Sequence, residues 1–155
     1  MRPVDEWLAE YARDHQNPVN QTLHSVCVPL IVWSLLGLVW SIPLPEPIVS
    51  RAPEFNPSML VVAGLLLYYL TLSAPLALGA TVFASVMLLV LYVLDGLGLA
   101  VWPIAATVFV IAWVGQFVGH YFEGRRPSFL QDLRFLLIGP LWVLAKLYRR
   151  LGLAF

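Results

Sequence analysis

Charge is missing from this chain over long distances. No Asp, Glu, Lys or Arg occurs at 15–45, 55–94 or 96–122, gaps of 31, 40 and 27 residues. A helix needs about 20 apolar residues to cross about 30 Å of hydrocarbon. The gaps therefore predict an integral membrane protein. Composition agrees: 12% of residues are charged and 60% hydrophobic, against about 25% charged in an ordinary soluble domain. A chain of 155 residues is too short for a second independent core, so residues 1–155 are expected to form a single membrane domain. Asp5, Glu6 and Glu10 stand where a cleaved signal peptide would carry basic residues before an apolar core, so none is read. Cys27 is the only cysteine, which excludes an intrachain disulfide. Zero net charge without a dense Lys/Arg cluster argues against a nucleic-acid partner.

In chain order, Val4, Trp7, Leu8 and Tyr11 recur at helical spacing, with Asp5, Glu6, Glu10 and Arg13 on the other face. That predicts a short amphipathic N-terminal helix at the membrane surface or docked on the bundle. Asn17-Pro18 breaks it, because the residue before proline is pushed out of the α region. The same pair starts the next helix, with Asn17 capping and Pro18 in the first turn. Spans are expected at about 22–42, 58–72, 76–94 and 99–119. Between the first two lies an extramembrane loop, 43–57, with Glu46, Arg51 and Glu54. Asn56-Pro57 repeats the start signal, Ser73-Ala74-Pro75 divides the longest gap, and Asp95-Gly96-Leu97-Gly98 makes a turn. Ser128 to Gln131 fits a capping box, so a C-terminal helix is expected over 129–150, interrupted at Gly139-Pro140.

Charge asymmetry sets the topology. With four spans, Arg2, Arg13, Arg125, Arg126, Arg134, Lys146, Arg149 and Arg150 share one side and only Arg51 is opposite. Making the tail a fifth span would move Lys146, Arg149 and Arg150 across. The positive-inside rule prefers the first arrangement. The expected fold is all-α: a four-helix transmembrane bundle whose C-terminal helix is interfacial or re-entrant rather than a short fifth span. Both termini lie at the cytoplasmic face, in a bacterial cytoplasmic membrane or, in a eukaryote, the endoplasmic reticulum.

This topology bears on chemistry. His15, His24 and His120 are the three histidines. His15 and His24 precede the first span and His120 ends the fourth, so an even number of crossings returns all three to one face. Asn17, Asn20 and Gln21 accompany the first pair, and Gln116, Glu123, Arg125 and Arg126 the third. Gln116, His120 and Glu123 fall on one helical face. A lone interfacial histidine more simply caps a helix or binds a headgroup. Three that converge suit a metal: three His with an open position fit catalytic zinc, and two or three His with an optional carboxylate fit non-haem Fe(II).

The two clusters also resemble a known family. Tyr11, His15, Asn17, Asn20, His24 and Pro29, then Gln116-Phe117-Val118-Gly119-His120 with Glu123 and Pro127, are similar to the paired signatures of the fungal and bacterial 2-hydroxy-fatty-acid dioxygenases of phytosphingosine breakdown. The resemblance runs from about Tyr11 to Leu147. It implies Fe(II) on essential histidines and α-oxidation, in which a 2-hydroxy fatty acid and O2 give a fatty acid one carbon shorter and CO2. On that reading His15, His24 and His120 are metal ligands, Glu123 is catalytic, and Asn20, Gln116, Arg125 and Arg126 meet substrate. The substrate would chelate iron through carboxylate and hydroxyl, with Arg125 or Arg126 neutralising the carboxylate and the acyl chain among the spans, in contact with membrane lipid. A zinc-dependent lipid amide or ester hydrolase would use the same histidines, with Glu123 as general base. A non-enzymatic lipid carrier would need no metal.

The topology is tested with single-cysteine variants made after Cys27 is replaced. Membrane-impermeant thiol labelling should place positions 2 and 150 on the cytoplasmic side and position 51 opposite. Labelling of 2 and 150 from different sides would reject four spans in favour of a crossing tail.

Overall fold

Proline after a capping asparagine decides where two of the helices begin. The Asn17 side chain accepts the Val19 and Asn20 N–H groups, and Asn56 accepts that of Ser58. In both cases the proline follows at a position whose missing N–H has no helical partner to lose. The computed structural model describes residues 3–124 and 133–155, and over these the protein is helical. In order the helices are α1 (Pro3–Arg13), α2 (Pro18–Trp40), α3 (Glu46–Val49), α4 (Pro57–Leu72), α5 (Ala74–Gly96), α6 (Val101–Glu123) and α7 (Leu133–Arg150). Three of them, α2, α5 and α6, are each 23 residues long and apolar enough to cross a membrane. The apolar α4 has 16 residues and is the shortest candidate among the expected spans.

Two local expectations are corrected. Pro140 does not interrupt the C-terminal helix: α7 runs through it without a break. A proline inside a helix removes one hydrogen bond and crowds the preceding turn. Here tertiary packing outweighs that cost, because Ile138, Leu141, Trp142 and Ala145 on either side of it are all buried. The loop at 43–57 contains the single-turn α3. As the shared helical face of Gln116, His120 and Glu123 requires, α6 runs to Glu123, so His120 and Glu123 occupy its last turn. The expected capping box at 128–131 lies outside the described residues.

Hydrocarbon is as apolar as a leucine side chain, so within a bilayer apolar faces gain nothing by leaving lipid for one another. Close van der Waals fit has to hold the helices together instead, and small residues allow it. The α2–α6 pair is built this way. A Cβ on Gly115 would strike the Cys27 sulfur, and one on Gly119 would strike the Asn20 side-chain oxygen. Ile31 and Ala112 are buried with Cys27 further along the same seam. Further along α2, Leu36 packs with Val62 of α4, Met87 and Leu91 of α5 and Val101 of α6, and the Ser58 hydroxyl donates to the Leu36 carbonyl over 2.7 Å.

The predicted apolar face of α1 is used as a docking face. Val4, Leu8 and Tyr11 are buried against Ile138, Leu141, Trp142 and Ala145 of α7 and against Tyr69, Leu76 and Ala77. Two tyrosines fasten α7 at its flanks: Tyr69 donates to the Leu137 carbonyl (2.7 Å) and Tyr148 to that of Pro75 (2.9 Å). Helix α7 thus packs on α1, α2 and α5, and it forms a wall beside the start of α2.

Close approach at Gly119 predicts a stability difference between two glycine substitutions. Gly119→Ala should lower unfolding stability in detergent by about 1–3 kcal/mol, because Asn20 must move. Gly64→Ala, whose added Cβ would meet nothing, should be neutral or gain up to about 1 kcal/mol from helix propensity. Equal stability of the two variants would reject the tight α2–α6 seam.

Candidate metal centre

The junction between α1 and α2 is fixed by one carboxylate from the far end of α6. Glu123 Oε1 accepts the Gln16 N–H (2.8 Å), its two oxygens share the Asn17 N–H (3.2 and 3.0 Å), and Oε2 accepts the Asn20 side-chain amide (2.8 Å). Asn17 returns a bond from its own amide to the Phe122 carbonyl at 3.0 Å. The carboxylate therefore sits at the N-terminus of α2, where unpaired backbone N–H groups and the helix dipole favour an anion. This joins the last turn of α6 to the residues that separate His15 from His24.

Within that frame the three histidines meet. His15 and His24 are 5% and 2% exposed, and their ring centroids lie 4.4 Å apart. His120 is 5.6 Å from His15 and 5.1 Å from His24 by the same measure. One ring nitrogen from each falls within 4.8 Å of the others. Tyr11 stacks on His15 at 4.1 Å with the planes 5° apart, and Trp142 stands 6.0 Å away. These packed neighbours hold the His15 ring still.

Tautomers follow from the partners. His15 Nδ1–H donates to the Tyr11 carbonyl (2.7 Å) and His24 Nδ1–H donates to the Asn20 carbonyl (3.0 Å). A carbonyl oxygen can only accept, so each Nδ1 carries the proton and each neutral ring keeps a lone pair on Nε2. Those two Nε2 atoms face each other at 3.1 Å. Two lone pairs at that distance repel, and relieving the repulsion with a proton would place a charge in a buried site. A cation between them resolves both difficulties. Two nitrogens each about 2.1 Å from one ion lie about 3 Å apart when they subtend roughly a right angle. His120 adds a buried Nδ1 with no hydrogen-bond partner. Histidines that give Nδ1–H to a backbone carbonyl and turn Nε2 inward are the usual way imidazole is oriented for a metal. The donor set fits a divalent transition ion such as iron or zinc.

The other expected site residues are placed as follows. Asn20 is fully buried, with its amide on Glu123 and its Oδ1 lacking a partner. Gln116 is buried one turn before His120. Arg125 and Arg126 lie outside the described residues. Two further residues come to this region that the sequence did not single out. Trp142 supplies a wall, and Lys146 donates to Gln21 Oε1 (3.2 Å), whose amide in turn donates to the His15 carbonyl (2.9 Å). Burial, and after it the charge of Arg150, hold the Lys146 ammonium below its ordinary range. Neither residue lies in a short motif with the histidines, so spacing gave no signal for them.

The chain is 30% identical over 149 residues to the 2-hydroxy-palmitic acid dioxygenase MPO1 of Saccharomyces cerevisiae, covering 94% of this chain and 79% of the yeast protein. No solved structure matches. A family described as "2-hydroxy-palmitic acid dioxygenase Mpo1-like" matches residues 1–151, almost the whole chain and with it all three histidines. The protein is a member of the Mpo1-like family.

Proposed function

We propose that this protein is an Fe(II)-dependent dioxygenase that shortens 2-hydroxy fatty acids by one carbon. The facing Nε2 atoms of His15 and His24 carry the reading, because both rings give Nδ1–H to a carbonyl and turn their remaining nitrogen to one point beside His120, an arrangement suited to a cation. In the overall conversion the 2-hydroxy acid and one O2 give the shorter acid, CO2 and one water. All four electrons taken up by dioxygen come from the substrate, so no external reductant or 2-oxoglutarate is needed. Iron(II) held by the histidines would supply the redox chemistry that lets dioxygen react, which zinc lacks.

The residues have distinct tasks. His15, His24 and His120 hold the ion, and the Tyr11 and Asn20 carbonyls keep two of these rings in the ligating tautomer. Asn20 Oδ1, buried and unpaired, accepts the substrate hydroxyl, and Gln116 also meets the substrate. Arg125 and Arg126, which follow Gly124 in sequence, neutralise the substrate carboxylate. Glu123 acts by positioning: the donors on its oxygens hold the α1–α2 junction in place. That commitment disfavours the zinc hydrolase reading, in which Glu123 would have to be available as general base toward water. The centre is assigned to the cytoplasmic face, on the charge asymmetry of the chain, with O2 and membrane-borne substrate as its partners.

Metal content tests the centre. His24→Ala and His120→Ala should each lose bound metal while remaining folded in detergent, and His15→Ala should do the same. Glu123→Ala should weaken metal affinity about 10- to 100-fold without removing a ligand. Stoichiometric metal in His120→Ala would reject the site.

Turnover tests the reaction. Oxygen uptake and CO2 release should require Fe(II) and a 2-hydroxy acid but no 2-oxoglutarate. A plain fatty acid should not react and a 3-hydroxy acid should react poorly. The zinc-substituted protein should be inactive. Cleavage of an amide or ester by the zinc form without O2 uptake would establish the hydrolase instead.

A further inference from the structure

A cavity of about 550 Å³ lies between α2, α4, α5 and α7, within the range of about 300–1,000 Å³ typical of small-molecule sites. Its walls include Pro29, Leu36, Val62, Tyr69, Met87 and Leu141. Among the described residues no charged, amide or imidazole side chain lines it; its polar side chains are Tyr68 and Tyr69, and the Tyr69 hydroxyl is already committed to the Leu137 carbonyl. Such a space gives water too few partners and accepts hydrocarbon. Several lining residues, among them Leu60, Val61, Phe83 and Leu147, are also exposed, so the cavity opens sideways towards surrounding lipid.

Its placement relative to the histidines identifies the occupant. Pro29 follows His24 by five residues on α2, about 7.5 Å of helical rise, and Leu36 lies about 18 Å from His24 along the same axis. On α7, Leu141 faces the cavity while its neighbour Trp142 faces His15. The two sites therefore share the walls α2 and α7. The interior prolines of those two helices, Pro29 and Pro140, both line the cavity. Each removes a helical hydrogen bond and disturbs regular packing at that level. Pro29 thereby acquires a place in the site, although it has none in the metal centre.

We infer that this cavity holds the acyl chain of the 2-hydroxy acid whose head group reacts at the three histidines, an inference that rests on the dioxygenase reading above. The substrate enters from the bilayer side, tail into the cavity and polar end towards His24. Chain length is then sensed in the cavity, far from the chemistry.

Photolabelling tests occupancy without requiring turnover. The full chain in phosphatidylcholine nanodiscs would be irradiated with a 2-hydroxy fatty acid carrying a diazirine near its terminal carbon, and labelled residues mapped by mass spectrometry. Label should fall on cavity residues such as Val62 and Met87 and be reduced about tenfold or more by excess unlabelled 2-hydroxy acid. Label spread over exposed α6 positions such as Val110, Ile111 and Val114 would overturn the inference. So would cavity label that the competitor leaves undiminished, which would mark a seat for bulk lipid. Competed cavity label in a protein that consumes no O2 with any 2-hydroxy acid would uphold the cavity and remove the dioxygenase reading. Two narrowing variants add a kinetic test. Gly64→Leu at the open side and Ala84→Leu inside should lower the ratio of kcat/KM for long over short chains about tenfold or more, with bound metal retained. An unchanged ratio in both variants would overturn the assignment.

Discussion

Glu123 makes the rest of the site possible by joining two segments that are more than 100 positions apart in sequence. Its carboxylate occupies the start of α2, where the Gln16 and Asn17 N–H groups would otherwise lack helical partners. An anion there is favoured by hydrogen bonding and by the helix dipole together. The tie determines how far α1 can swing from α2, and hence where His15 points. Gly119 completes the arrangement, because any side chain there would push Asn20 away from Glu123.

From this frame the opposed histidines follow. His15 ends the α1 side of the junction and His24 lies two turns into α2, and each returns its Nδ1–H to a carbonyl four residues earlier. These are local bonds, yet together they aim two lone pairs at one point. His120 reaches that point from the other helix of the tightly packed pair. The proposed metal affinity would reside as much in the backbone carbonyls of Tyr11 and Asn20 as in the three histidines. The division of labour continues across α2: its α6-facing side carries polar chemistry, and its other side borders an apolar cavity.

Much of the helical outline was legible because it depends on local signals. The uncharged gaps, the Asn-Pro starts at 17–18 and 56–57 and the Ser73 break reappear as helix ends within a few residues. Pro140 misled, because a local rule about helix interiors took no account of buried neighbours on both sides of it. Lys146 and Trp142 left no trace in any motif, since their relation to His15 exists only once α7 has docked.

By itself the sequence determined the span-length apolar runs, the helical class and which side chains are available as metal ligands. Those follow from residue chemistry and short-range periodicity: apolar runs of span length, and only three imidazoles to choose from. Tertiary structure decided what those side chains can do. Which nitrogen of His15 and His24 bears the proton, which atoms occupy the oxygens of Glu123, and which faces of α2 meet metal ligands or empty space all depend on contacts between distant parts of the chain. Periodicity carries no information about such contacts, because hydrogen-bond direction and interhelical distance are set only when the helices pack.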